Sequence, residues 1–356
     1  MRILITGICG FVGSRLASAL LERIAGAQVY GIDNLLRPGS EGNRNELISK
    51  HIQFVHGDVR MRSDIDMLPA CDWVIDAAAN PSVLGGVDGR SSPRQISEHN
   101  LSGTLNLLEY CREKKAGLVL LSTSRVYSMR DLAGLPMKVD AGAFRLEEGT
   151  ALPHGVSSAG IDESFAVRQP ISLYGASKLA SEVMALEYGS AFGYPVWINR
   201  CGVLAGAGQF GTAEQGIFSY WLHAHAARVP LRYIGFGGIG AQVRDAFHPD
   251  DLTELIRAQM LRGDPPADPI YNLGGGAQNA MSLAQLTAWC NQAFGKHEPE
   301  PDAKPRMFDI PWVVMDSRRA AHQFGWAPSR PLASILDEIA AHVRANPAWL
   351  KRAAAI

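Results

Sequence analysis

Short apolar runs alternate with longer amphipathic ones through the first half of the chain. Arg2–Ile5, Gln28–Ile32, Ile52–His56, Trp73–Asp76, the run ending at Leu121 and Val196–Asn199 are apolar without a polar face, as in strands covered on both sides. Between them, Phe11–Ile24, Arg94–Lys115 and Leu173–Phe192 repeat apolar residues at helical spacing. In the second of these the apolar positions are Ile96, Leu101, Leu105, Leu108 and Tyr110. This alternation predicts an α/β fold with a Rossmann-type doubly wound parallel sheet.

Residues 128–170 interrupt the pattern. They are rich in Gly, Pro and Ser, lack sustained periodicity, and read as an inserted loop near the active site, a lid or binding loop if ordered. The last third carries "GFGGIGAQ", a helix near Asp251–Arg262 and a final helix near Leu332–Ala345. It predicts a smaller C-terminal domain at the carboxyl edge of the sheet.

Composition narrows the class. The chain has 356 residues, 47% apolar and 19% charged, with a formal charge of −1, so nothing electrostatic favours nucleic acid or an anionic membrane. No apolar run is long enough for a membrane span. The five cysteines at 9, 71, 111, 201 and 290 are scattered and form no CxxC pair. They predict reduced thiols in a cytoplasm, with no disulfide framework and no metal. The chain enters "RILITG" directly, so a secretory leader is not expected.

"TGICGFVGSRL" places Gly7, Gly10 and Gly13 after the first strand and at the opening of the first helix. Glycines there permit a tight turn and close approach to a pyrophosphate. The N–H groups of the first helical turn, at Phe11, Val12 and Gly13, supply donors. Asp33 ends the second strand, where a carboxylate accepts from ribose hydroxyls and repels a 2′-phosphate. Arg37, close behind Asn34, could instead accept a phosphate, but Asp33 favours NAD over NADP. Asp58 and Val59 follow the third strand as adenine contacts. Ala77, Ala78 and Ala79 follow the fourth with small side chains where a cofactor approaches backbone.

Further along, "SLYGASKLASE" sets Tyr174 and Lys178 on one helical face. A lysine one turn from a phenol favours the phenolate, which could take a carbinol proton as hydride leaves. In "LSTSRVYS" the hydroxyls of Ser122, Thr123 and Ser124 at a strand end suit either a cap or an active-site edge.

These motifs, with "HGDVR", "AAANPS", "HNLSGTLNLLEYC", "NRCGVLAG" and "QVRDAFHPDDL" in order, resemble the extended short-chain dehydrogenase/reductase family over essentially the whole chain. Within it the chain resembles the nucleotide-sugar epimerases and dehydratases. The resemblance implies that Thr123 is the substrate-facing hydroxyl beside catalytic Tyr174 and Lys178. Ser122 would lie by the cofactor, and Asn100 would be a structural or proton-relay residue there. Asn80, Ser124, Arg125 and Asn199 would line the substrate. It also implies an NAD-binding domain over 1–200, with a returning segment near 231–262, and a mainly nucleotide-sugar-binding domain over 201–356.

In this family dehydratases resemble one another in an Asp-Glu pair after the catalytic hydroxyl. Ser124 and Arg125 stand there here, which favours epimerisation over elimination. "RCGVLAGAGQFGTAEQG" and "YIGFGGIGAQVRDAFHPDDL" are similar to the CDP-paratose 2-epimerase branch. That similarity implies Arg200 and Arg244 on the nucleotide diphosphate, with Gln209, Gln215 and His248 lining the nucleotide or sugar pocket. For Arg244, an ion pair with Asp245 or Asp250 is the alternative. His223 and His225 read as helix-surface residues, and Trp221 and Trp326 as packing. The stretch between Thr123 and Tyr174 is about twice the length usual in the family, which leaves the sugar open. A 4-epimerase or net dehydrogenase is the alternative enzyme. A non-catalytic NAD sensor fits poorly, because both Tyr174 and Lys178 are present. The resemblance further implies a homodimer, or a tetramer, built on the helices 94–115 and 173–192.

Overall fold

In the computed structural model, which describes residues 1–89 and 91–353, seven segments join in one sheet. They are β1 (Arg2–Thr6), β2 (Gln28–Asp33), β3 (Gln53–His56), β4 (Trp73–Asp76), β5 (Gly117–Thr123), β6 (Val196–Cys201) and β7 (Ile270–Leu273). Their order is β7-β6-β5-β4-β1-β2-β3, and β1 pairs in parallel with both β2 and β4. The chain therefore reverses its winding between β1 and β4. Ligands of open parallel sheets lie outside the carboxyl ends of the strands at such a reversal.

The chain separates into two units. The first comprises Met1–Thr123, Leu173–Arg200 and Pro249–Tyr271. One of its cores joins Leu4, Ile32, Val74, Leu118, Leu120 and Ile198 of the strands to Leu107, Leu108 and Cys111 of a covering helix. The helical pattern of 94–115 is present but not uniform: Pro93–Ser97 and Gly103–Lys114 are α, and Glu98–Ser102 between them is a π turn. A π turn inserts a residue into the helical ladder and is frequent at functional sites. This one carries Asn100.

The second unit comprises Ser124–Ser172, Cys201–His248 and Asn272–Ile356. Its core packs Phe218, Trp221 and Leu222 with Leu286, Cys290, Ile335, Leu336 and Ile339. The segment 128–170 is structured, contrary to the loop expected from its composition. It holds a short helix Met129–Ala133 and an antiparallel hairpin of Met137–Asp140 with Ala143–Leu146. The two-residue turn, Ala141 (φ 46) and Gly142 (φ 74), takes the paired positive φ that a tight hairpin requires. An alanine at the first of these positions hides the turn from a sequence reading.

The two histidines read as surface residues are buried here. His223 Nε2 lies 3.2 Å from His342 Nδ1, and His225 Nε2 lies 2.9 Å from Asn291 Oδ1. Trp221 and Trp326 are packing residues, buried in the same unit. All five cysteines are buried and none is in a disulfide. Among the described residues no helix is long and apolar enough to cross a membrane.

Candidate active site

The turn after β1 is shaped for close approach. Gly7 adopts φ +60, and a Cβ there would stand 2.9 Å from Ala78 Cα. At Gly13 a Cβ would fall 2.3 Å from the Gly7 carbonyl, so only glycine lets the helix Phe11–Arg23 meet the strand end. Gly10 is the N-cap residue of that helix, and no side chain caps the amides of Phe11, Val12 and Gly13. Those open N–H groups at a positive helix end are donors suited to a pyrophosphate. Ala77 and Ala78 face the same turn, their amides donating to Thr6 Oγ1 at 3.1 and 3.0 Å, while Ala79 is exposed.

Asp33 is held across the mouth of this turn. Its Oδ2 accepts the Cys9 N–H at 2.9 Å and its Oδ1 the Leu35 N–H at 2.8 Å. Burial pushes the carboxyl up, and the two amides oppose that shift. Each oxygen keeps a lone pair for a ribose hydroxyl. Asn34 donates to Asp58 Oδ2 at 2.9 Å, and Arg60 forks onto Asp58 at 2.9 and 2.7 Å. Burial alone would raise the Asp58 carboxyl, but Arg60 and Asn34 hold it well below the usual carboxylate range. The side chains of Asn34 and Asp58 thus brace each other, and the Val59 carbonyl is anchored by Asn106 Nδ2 at 2.8 Å. Arg37 is half-buried, and desolvation lowers its guanidinium. The turn, the uncapped helix end and Asp33 together fit an adenine dinucleotide.

Asn100 is a clamp. Its Oδ1 accepts from Asn80 N–H (2.8 Å), and its Nδ2 donates to the Asn80 carbonyl (3.2 Å) and to Ser177 Oγ (3.0 Å). This is the structural one of the two roles expected for Asn100: the amide ties the loop after β4 to the Tyr174–Lys178 helix. Asn80 in turn caps Ser82 N–H at 3.2 Å with its own side-chain oxygen.

Thr123 ends β5, and Tyr174 and Lys178 lie four residues apart on the helix Ser172–Phe192; all three are buried in the first unit. Glu182, one turn beyond Lys178, links the two elements. It accepts a short hydrogen bond from Ser122 Oγ and pairs with Arg200. This carboxylate escaped the motif reading, although its place four residues after Lys178 was a signal for the same helical face. Two substrate contacts expected here are corrected. Arg200 is buried against Glu182, with Nη2–Oε2 2.7 Å. Asn199 is fully buried and exchanges two 2.9 Å amide hydrogen bonds with Gln259. Both side chains are spent on the protein interior.

In the second unit Arg244 has a partner that sequence did not suggest. Its Nη2 lies 3.7 Å from Asp309 Oδ1, in place of an ion pair with Asp245 or Asp250, and burial lowers its guanidinium. Gln209 Nε2 donates to the Leu204 carbonyl at 2.8 Å, and its Oε1 is buried without a partner. The Gln215 N–H donates back to the Thr212 carbonyl at 3.2 Å, closing a turn. His248 is buried with Nε2 3.0 Å from Glu338 Oε2. Ser124 and Arg125 form the one-turn helix Ser124–Val126, and Arg125 Nη1 donates to the Phe308 carbonyl at 3.0 Å.

Comparison with known proteins agrees with the geometry. Residues 3–274 match the family described as the NAD dependent epimerase/dehydratase family. The CDP-paratose 2-epimerase of Salmonella typhi is 30% identical over 92% of this chain and 95% of its own length. A dTDP-glucose 4,6-dehydratase of Streptomyces antibioticus is 29% identical over 98% of this chain and 94% of its own. The crystal structure of a Thermus thermophilus UDP-glucose 4-epimerase, a complex with NAD, superimposes with a TM-score of 0.76 at 26% identity. It covers 97% of this chain and 99% of that one. With the cradle after β1, the Asp33 carboxylate and the Tyr–Lys helix in place, the chain is an enzyme of the NAD dependent epimerase/dehydratase family.

Proposed function

We propose that the enzyme epimerises a nucleotide-linked sugar by transient oxidation, with a CDP-linked deoxyhexose inverted at carbon 2 as the substrate. The observation that carries this reading is the buried set Thr123, Tyr174 and Lys178, followed by Ser124 and Arg125 and not by carboxylates. NAD, when bound, supplies the acceptor and then the donor of one hydride. Tyr174 as phenolate takes the hydroxyl proton of the sugar, and Lys178 one turn away favours that phenolate. Thr123 donates a hydrogen bond to the oxygen that becomes the ketone. On the return the same phenol gives the proton back, so no net oxidation results. Loss of water would need an acid at the position of Ser124 or Arg125.

The 30% relative that is a CDP-paratose 2-epimerase supports the choice of sugar, as does the similarity of the 200–248 segments. Arg244 is the arginine we assign to the diphosphate, since a guanidinium fork suits its oxygens. Leu173, Val183 and Phe192 are exposed at 36%, 53% and 52% on the Tyr–Lys helix, which supports a homodimer through that helix. Buried cysteines outside any disulfide suit a reducing cytoplasm. Turnover of CDP-paratose with bound NAD tests the substrate. A stable monomer in light scattering would refute the dimer.

A further inference from the structure

Arg125 stands two residues after Thr123, and its bond to Phe308 spans 183 positions of sequence. Phe308 occupies the left-handed region at φ +61, an uncommon place for a bulky side chain. It is the third residue of a turn that the Asp309 N–H closes onto the Arg306 carbonyl at 3.3 Å. Turns with positive φ at this position ordinarily hold Gly or Asn. Nothing in phenylalanine favours the conformation, whereas a guanidinium fixed on its carbonyl does.

Both ends of the turn meet residues assigned to the nucleotide. At one end the Asp309 carboxylate faces Arg244 at 3.7 Å, with Gln242 Nε2 at 3.4 Å from its other oxygen. At the other, Arg306 Nη2 donates to the Ala213 carbonyl at 3.4 Å, between Gln209 and Gln215. All of these groups belong to the second unit.

We propose that Arg125 is a positioning residue: by holding the Phe308 carbonyl it sets the 306–309 turn, and through Asp309 the aim of Arg244, so that it governs nucleotide affinity and not the chemistry at Thr123. The inference rests on the reading of Arg244 as the diphosphate ligand. Without the bond, Phe308 relaxes towards negative φ, the following peptide rotates, and Asp309 leaves Arg244.

The test measures binding of CDP and UDP by calorimetry and steady-state turnover for wild type, R125A, R244A and R125A/F308G. R125A should weaken nucleotide binding and raise KM about tenfold while kcat stays within about twofold. R125A/F308G should regain the binding, because glycine takes the left-handed turn unaided. If R125A does not fold, R125K serves, since its single ammonium lacks the guanidinium's reach and planar fork. Unchanged nucleotide binding in R125A, a fall in kcat at constant KM, or no rescue by F308G would each overturn the proposal. If R244A binds CDP and UDP as wild type does, or wild type binds neither, the reading of Arg244 fails and the proposal falls with it.

Discussion

Glu182 and Arg200 form a buried ion pair, Nη2–Oε2 2.7 Å, and Glu182 also takes the hydroxyl of Ser122 next to Thr123. One carboxylate therefore ties the strand end that carries Thr123 to the helix that carries Tyr174 and Lys178. Breaking a buried pair on one side leaves an uncompensated charge, at a cost of about 3–5 kcal/mol. Glu182→Gln should lose stability on that scale in urea unfolding. Ser122→Ala, which leaves the ion pair intact, should cost about 1–3 kcal/mol.

Tyr174→Phe keeps the packing of the helix and removes the group we propose as the proton acceptor. Turnover should fall by at least about a hundredfold, the usual contribution of a positioned general base. NAD affinity, read by fluorescence titration, should change little. Loss of NAD binding together with turnover would assign Tyr174 to the cradle instead.

Asp33 is the residue we propose to select the cofactor. Asp33→Ser removes both the acceptor for the ribose hydroxyls and the charge that repels a 2′-phosphate. Its NAD affinity should drop about tenfold, and the ratio of NAD to NADP affinity should fall further. An unchanged ratio would mean that discrimination lies elsewhere, with Arg37 the nearest candidate.

Two buried groups give the second unit opposing responses to pH. Asp245 Oδ2 accepts the Gly276 and Met315 amides at 3.0 and 3.1 Å, but Oδ1 is buried without a partner, and burial pushes the carboxyl up to about 7. Its folded form favours the proton, so its contribution is full below the ordinary carboxylate range and is lost as pH rises to about 7. His223 is pushed down by burial, and further by His342, to about 4, so its contribution is present above pH 6.5 and is lost as pH falls towards 4. Asp245→Asn, with its amide nitrogen at the unpartnered oxygen, should therefore gain on wild type as pH rises from 4 to 7. His223→Gln should lose the acid-side decline. Unfolding midpoints across pH 4–8 measure both, and parallel curves for wild type and Asp245→Asn would refute the first.

The parallel sheet and its glycine turn were legible because local rules fix them: apolar runs make covered strands, and only glycine tolerates the contacts at Gly7 and Gly13. That Tyr174 and Lys178 share one helical face was legible from their spacing, whereas a catalytic role for the pair is implied only by the resemblance of the motifs around it. The partners of polar side chains were not. Arg200 reads as a free cation until Glu182 faces it, and Asn199 as a pocket amide until Gln259, 60 residues on, exchanges two hydrogen bonds with it. His223 suggests solvent by its residue type, yet His342, 119 positions away, closes over it. Arg125 is the same kind of case: its partner is a backbone carbonyl, which leaves no trace in residue identity.

Redox-neutral epimerisation is tested by following nucleotide sugars and cofactor together. Purified enzyme with NAD is incubated with CDP-paratose and a panel of other CDP-, UDP- and dTDP-sugars. Sugars are separated chromatographically while NADH absorbance is recorded. The expected result is interconversion of CDP-paratose with its carbon-2 epimer at constant NAD, and none in Tyr174→Phe. Steady accumulation of NADH, a product lighter by one water, or no interconversion of any sugar in the panel would contradict it.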